Sequence, residues 1–477
     1  MNFHQRPEFS FYKGRIIILF LFGLCYDLNA QDTLNYRYEN DFPGKLFYKE
    51  KRDSLRAQMP DSSVAIIFAN PERNRSGDVD FTYHQNADLF YLTGFTEPNS
   101  LLLLFKIDQS IKGKKIHELL FVQEKDKKRE SWTGRIAGPE GAAVLTGIQS
   151  VMSSAEFESL EIPFQNYRML MYSSLPKGLV NDKKEPNDLY DLVEVFKKKT
   201  SFPPANGDDF KLAKMLTKMR AQKDEVEIAL MEKAIGISCD GHIEMMKALE
   251  PGMTEYQVQA IGEYIFKKEG AESPGYPSIC GGGENSCILH YESNRRTLHD
   301  GDLILLDMGG EYHGYSADVT RTLPVSGKFT PEQKQVYNLV LSAQDAAFLE
   351  CAPGKQFFDT HEAAVDIIKK GLVRLGIIDD EKEYKRYFSH GTSHYLGLDV
   401  HDVVTYGILK PGNVITVEPG IYIPEGSPCD KKWWNIGVRI EDDILIVDSG
   451  MRVLSRKAPR DPEEIENLMK EKSVLGK

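Results

Sequence analysis

The chain predicts an α/β N-terminal domain followed by an α+β second domain, and three observations carry that prediction. Up to about residue 200, apolar strand-like runs alternate with helix-compatible stretches. The segment Ser201-Phe202-Pro203-Pro204-Ala205-Asn206-Gly207 then breaks the pattern with linker composition. Beyond it, capped helices enclose strand-like runs, and this second region holds eight of the eleven histidines. A length of 477 residues, 41% of them hydrophobic, leaves room for two or three domains with a sizeable core.

In the first region the strands are expected at Val64 to Ala69, Leu101 to Ile107, Leu119 to Val122 and Met169 to Tyr172. Lys183-Lys184-Glu185 and Lys197-Lys198-Lys199 read as solvated charged faces. In the second region Asp224 with Glu227 forms a capping-box pattern ahead of a helix whose Val226, Leu230, Ala234 and Ile237 share one face. Thr254 with Gln257, and Thr330 with Pro331 and Gln333, announce two more helices. Leu303 to Leu306, Val414 to Val417 and Ile444 to Val447 read as strands.

Ahead of both regions, Arg6, Lys13 and Arg15 precede the apolar run Ile16 to Leu24, and Leu28-Asn29-Ala30 ends in a small residue before Gln31. This reads as a cleavable signal peptide over residues 1–30 and implies an exported protein, periplasmic or secreted; a buried strand or an overcalled start codon, in a cytoplasmic protein, is the alternative. The apolar run is too short for a stable membrane span. Lys plus Arg number 59 against 71 Asp plus Glu, and this net charge of −12 excludes a general affinity for nucleic acid or anionic membranes. Cys239, Cys280, Cys287, Cys351 and Cys429 remain after Ala30. Their odd number and irregular spacing argue against a disulfide framework and a CxxC zinc site.

The second region repeats itself. Glu250-Pro251-Gly252 and Ala352-Pro353-Gly354 each precede a helix, and Gly301-Asp302-Leu303-Ile304 answers to Gly412-Asn413-Val414-Ile415 at a shift of 111 residues. The same shift carries His290 onto His401 and Asp307 onto Glu418. An internal duplication follows, with a site where the two halves meet.

Asp307, Asp318, His394, Glu418 and Glu441 are the candidate ligands at that meeting point. Leu303 to Asp307 and Ser316 to Thr322 flank a hairpin signal, and a turn centred on Tyr312-His313 sets Asp307 opposite Asp318. Like charges facing each other destabilise a hairpin unless a cation lies between them. Glu418 follows a strand and precedes Pro419-Gly420, while Glu441 shares a face with Arg439 on a regular strand, where a plain salt bridge competes with a ligand role. His390, His394 and His401 fall in one Gly-containing apolar segment. Four oxygen donors and one imidazole exceed what one small ion needs and suit two divalent ions sharing a water, which points to metal-assisted hydrolysis.

These residues stand in recognisable strings: Gly283-Glu284-Asn285-Ser286-Cys287-Ile288-Leu289-His290-Tyr291, Leu306-Asp307 through Asp318-Val319-Thr320-Arg321, His390 through Asp402, Thr416-Val417-Glu418-Pro419-Gly420-Ile421-Tyr422, and Val438-Arg439-Ile440-Glu441-Asp442. With Asn86 through Phe95 in the first region, the chain resembles the pita-bread metallopeptidases of the aminopeptidase P branch. The resemblance implies a creatinase-like α/β N-terminal domain over residues 45–200 and a pita-bread catalytic domain over 211–460. It also implies two divalent ions, manganese first and zinc, cobalt or iron as alternatives, and peptide substrates with proline in second position.

By that resemblance Asp318 and Glu441 bridge the ions, Asp307 completes one, and His394 with Glu418 completes the other. Glu418 also shuttles a proton, His290 and His401 contact the substrate, and Arg439 and Tyr422 hold the ligands in place. Tyr276, Tyr395 and His401 are its candidates for the proline pocket, and dimers or tetramers its expected assemblies. Two rivals remain: a prolidase acting on Xaa-Pro dipeptides, and a non-catalytic peptide-binding module of the same fold.

Overall fold

The structure is a computed structural model, described for residues 41–181, 185–403 and 406–475. The expected signal peptide, and Lys183 and Lys184 of the first charged stretch, lie outside the described residues. No helix among the described residues is long and apolar enough to cross a membrane.

All four apolar runs of the first region form strands, and pairing in a sheet satisfies the backbone groups buried with their side chains. Ser63–Phe68 lies centrally, antiparallel to Leu101–Ile111 and parallel to Met169–Tyr172, in a six-stranded mixed sheet. Lys114–Val122 and Val151–Ser153 extend one edge. The other edge is the short strand Gly207–Asp208, so the last residue of the linker-like segment is hydrogen-bonded into the sheet. The helix Lys45–Gln58 covers this sheet and anchors it through buried Arg52, which donates to Glu118 at 2.7 Å and to the Leu92 carbonyl at 2.8 Å. Lys197 to Lys199 occupy the last turn of helix Leu189–Thr200, where positive charge suits the helix dipole.

In the second region the Asp224/Glu227 and Thr330/Gln333 capping boxes open the helices Glu225–Ala248 and Pro331–Phe348. Leu230, Ala234 and Ile237 are buried as expected, whereas Val226, in the first turn, is exposed. Each half presents two helices and then its strands: Glu225–Ala248 and Glu255–Lys268 before Ile279–Gly282, Leu303–Asp307 and Thr320–Pro324; Pro331–Phe348 and Asp359–Arg374 before Val414–Val417 and Asp442–Val447.

The halves repeat individual hydrogen bonds. Leu298 N donates to Met253 O at 2.8 Å, and Leu409 N donates to Lys355 O at 2.8 Å. Gly252 N donates to Leu298 O at 2.9 Å, and Gly354 N to Leu409 O at 3.1 Å. Gly301 and Gly412 both take φ of +86°, a conformation that a Cβ would strain. The expected duplication is thus present in the backbone, and the halves are stitched by a bridge between Thr320 and Glu441.

The hairpin register differs from the expected one. Asp307 pairs with Thr320 and Tyr312 with Tyr315, so the turn is His313-Gly314, with φ of +48° and +81°. A turn at Tyr312-His313 would place bulky Tyr312 at positive φ, and Gly314 removes that cost one residue later. The partners move by two residues, which preserves the faces, so Asp307 and Asp318 still point to the same side. Between them Gly309 passes so close to the returning strand that a Cβ there would sit 1.9 Å from the Ala317 carbonyl oxygen.

Candidate metal centre

Each acidic residue reaches the centre from the end of a strand, where the backbone is held but side chains can converge. Asp307 ends Leu303–Asp307, Asp318 precedes Thr320–Pro324, Glu418 follows Val414–Val417, and Glu441 lies between Ile436–Arg439 and Asp442–Val447. His394 comes from the segment beside Val414–Val417, to which Thr416 N ties it by donating to the His394 carbonyl at 2.9 Å. Together with Tyr276, His290, His390 and His401 they line a cavity of about 630 Å³, a volume suited to a small peptide.

Asp318, His394 and Glu441 offer ligand atoms that all lie within 4.8 Å of one another. His394 Nδ1 faces the Tyr395 carbonyl at 3.0 Å and must donate there, so Nε2 is the nitrogen turned to Asp318 at 3.3 Å and Glu418 at 3.4 Å. Burial opposes a charge on His394, but Asp318 and Glu418 outweigh it and raise its pKa to about 9. Burial pushes Glu418 up to about 7, partly offset by His394. Burial and the neighbouring Asp318, Glu418 and Asp307 drive Glu441 well above the usual carboxylate range.

The cluster is short of positive charge. Arg439 is its buried guanidinium, donating to Asp307 at 2.6 Å, to the Tyr422 hydroxyl at 2.9 Å and to the Thr320 hydroxyl at 3.3 Å. Its hydrogen-bonded partner is Asp307, not Glu441, because the regular strand ends at Arg439 and the face no longer carries on to Glu441. Glu441 Oε2 accepts from Thr320 at 2.7 Å, while its Oε1 is buried without a hydrogen-bond partner. The Tyr276 hydroxyl stands 2.6 Å from both Asp307 and Asp318, and its single proton serves only one of them. Orphaned carboxylate oxygens around one imidazole fit divalent cations, and Asp307, Asp318, His394, Glu418 and Glu441 could hold them.

Around this core, Tyr422 donates to His390 Nε2 at 2.8 Å, since His390 Nδ1 is spent on the Gly391 carbonyl at 2.7 Å. Burial and Arg439 lower the His390 pKa to about 4, so it is neutral. His401 stands edge-on to His394, with ring centroids 4.4 Å apart, and burial followed by His394 lowers its pKa. His290 faces the cavity from the loop after Ile279–Gly282. Of the expected proline-pocket residues, all three line the cavity, but Tyr276 turns its hydroxyl into the carboxylates and Tyr395 stacks on Phe357 at 5.5 Å. Sequence reasoning gave Tyr276 no part in the acidic cluster, since nothing in Ser273-Pro274-Gly275-Tyr276-Pro277 signals a partner over thirty residues away. The cysteines among the described residues are free: Cys239, Cys280 and Cys351 are buried, Cys287 and Cys429 half-buried.

The same fold occurs in known proteins. Metallopeptidase family M24 matches residues 229–448, and the aminopeptidase P N-terminal domain matches residues 48–164. The chain belongs to metallopeptidase family M24, in the branch that carries this N-terminal domain, and its second region is the pita-bread catalytic fold. Its relatives include the Xaa-Pro aminopeptidase of Escherichia coli, 36% identical over 88% of this chain and 97% of that protein, and human Xaa-Pro aminopeptidase 3, 33% identical over 88% and 83%. Among solved structures, Pseudomonas aeruginosa aminopeptidase PepP is 38% identical and superimposes with a TM-score of 0.81 over 90% of this chain and 98% of its own.

Proposed function

We propose that this protein is an Xaa-Pro aminopeptidase that uses two divalent metal ions, manganese first on family grounds, to release the N-terminal residue of a peptide whose second residue is proline. The observation that carries this reading is the convergence of Asp318, His394 and Glu441 within 4.8 Å, flanked by Asp307 and Glu418 and by an unpartnered Glu441 oxygen. Asp307, Asp318, His394, Glu418 and Glu441 would hold the ions. When bound, such ions supply activated water at neutral pH and polarise the scissile carbonyl.

The chain's own groups do the rest. Glu418, on the cavity wall 3.4 Å from His394, is placed to take a proton from the attacking water and return it to the leaving prolyl nitrogen. Arg439 and Tyr276 fix the Asp307 carboxylate from two sides, and the Tyr395 carbonyl fixes the His394 tautomer. His290 and His401 flank the cavity where the tetrahedral intermediate would form, and can donate to its oxygen. A bond to proline is a tertiary amide without an N–H, and a site that works through carboxylates, imidazoles and ions needs no grip on that hydrogen.

The test is metal content by mass spectrometry together with turnover of an Xaa-Pro-Xaa tripeptide and an Xaa-Pro dipeptide, before and after chelation. Two bound ions and chelator-sensitive tripeptide cleavage are expected. Dipeptide-only activity would make the protein a prolidase, and metal-free protein indifferent to chelation would overturn the reading.

A further inference from the structure

We propose that Glu255 is a positioning residue for His290, an inference that rests on the peptidase reading above. Glu255 is the first residue of helix Glu255–Lys268 and is fully buried. Its Oε1 accepts from Gly282 N at 2.8 Å and Asn285 Nδ2 at 3.0 Å; its Oε2 accepts from the Tyr291 hydroxyl at 2.8 Å and Arg296 N at 2.8 Å. Four donors use the full accepting capacity of a carboxylate. None of them is cationic, since the Arg296 guanidinium is spent on Asp302 at 2.5 Å and Glu284 at 3.0 Å. Placement at a helix N-terminus suits the remaining negative charge.

Two of the donors precede His290 in the chain and two follow it. Glu255 therefore clamps both arms of the loop that holds His290 over the cavity. His290 makes no side-chain hydrogen bond of its own among the described residues, and its neighbours Leu289 and Tyr291 pack against Ile279, Leu305 and Tyr422. The imidazole is placed through its backbone, and that backbone is placed by Glu255.

The fold itself does not need a carboxylate there. Glu255 N donates to Arg296 O at 3.0 Å, and in the other half Phe357 N donates to Gly407 O at 2.8 Å, so the two residues hold equivalent backbone positions. Phe357 supports its half with ring contacts to Tyr395 and Tyr406. The acid at 255 thus belongs to what its loop carries, not to the shared frame.

Glu255→Gln keeps size and one acceptor but turns an NH2 group toward two donors. In this variant kcat for the Xaa-Pro-Xaa tripeptide should fall by about tenfold to a hundredfold, as a small misplacement of a reacting group does. Metal content should be unchanged, and in a His290→Ala background the substitution should cost nothing further. Hydrogen exchange should quicken across residues 282–296 and not across 390–401. Tyr291→Phe, which removes one donor, should lower kcat by about threefold, again only while His290 is present; it decides the matter alone should Glu255→Gln not fold.

Equal losses with and without His290, or wild-type kcat in both variants, would overturn the proposal. If the wild-type protein cleaves no Xaa-Pro peptide, the peptidase reading fails separately. Exchange then still decides: acceleration confined to 282–296 supports the clamp, and unchanged exchange overturns it.

Discussion

His290 and His401 occupy corresponding places 111 residues apart, yet the loops that carry them are held by different chemistry. In the first half the residue after the histidine, Tyr291, donates to the uncompensated carboxylate of Glu255. In the second half the residue after the histidine, Asp402, is itself the buried carboxylate, paired with Arg220 at 2.5 Å and Lys223 at 3.0 Å. Those two cations outweigh burial and hold Asp402 below the usual carboxylate range. Arg220 also reaches Asp88 of the first region at 2.8 Å. The carboxylate anchor of one loop therefore lies within its own half, and that of the other in an ion cluster that joins the two regions. A duplicated frame fixes where the loops begin and end, while the anchors diverge with the work each loop does.

The largest break in this comparison is expected where the halves share a residue. Glu441→Gln removes a carboxylate at the seam, and kcat/KM should drop by about a thousandfold or more with loss of bound metal. Retention of both ions and of activity would remove Glu441 from the centre.

Asp402→Asn should come next. It leaves Lys223 without its buried partner and Arg220 with only Asp88 and Asp399, at a cost of about 3 kcal/mol, readable as a lower urea midpoint. An unchanged midpoint would show that the ion cluster does not anchor the second loop.

His394 has Gly283 at the corresponding place in the first half, so the two proposed ion positions would be unequal. His394→Ala should weaken one ion by at least the tenfold to a hundredfold that loss of a mere supporting partner costs, and the other by less. Equal weakening in a metal titration would contradict the assignment.

The smallest effect concerns the first-half turn. Burial alone would lower the His313 pKa, but hydrogen bonds to Glu272 at 2.9 Å and Asp41 at 3.0 Å outweigh it and raise it above 6.5. A raised histidine pKa contributes stability that is full below its unfolded value near 6.5 and fades as pH rises through the folded value. Glu272→Gln should therefore cost about 1 kcal/mol at pH 5.5 and almost nothing at pH 9. A cost independent of pH would mean that the pair acts as a neutral hydrogen bond.

Much of the architecture is legible in the sequence because it is local. The capping boxes at Asp224 and Thr330 need only neighbours three residues away, and the strands at Val64 and Leu303 announce themselves by unbroken apolar runs. The candidate ligands are legible for a related reason: a carboxylate in such a run has no stable place without a cation. The hairpin register was harder, since a turn placed at Tyr312-His313 or His313-Gly314 gives the same facing pattern and only the φ cost at Tyr312 separates them. Tyr276 between Asp307 and Asp318, and Arg439 on Asp307, carry no local signature at all.

What the sequence by itself determined is the pair of regions, the repeat at 111 residues and the five ligand-type side chains, because periodicity, spacing and the cost of buried charge are properties of the chain alone. What only the tertiary structure decided is which groups meet: that the Tyr276 hydroxyl stands between two aspartates, that Arg439 serves Asp307, and that Glu255 and Asp402 hold the two histidine loops by unlike means. Hydrogen bonds and ion pairs act over about 3 Å, and contacts at that range between residues far apart in the chain exist only once the fold has brought them together.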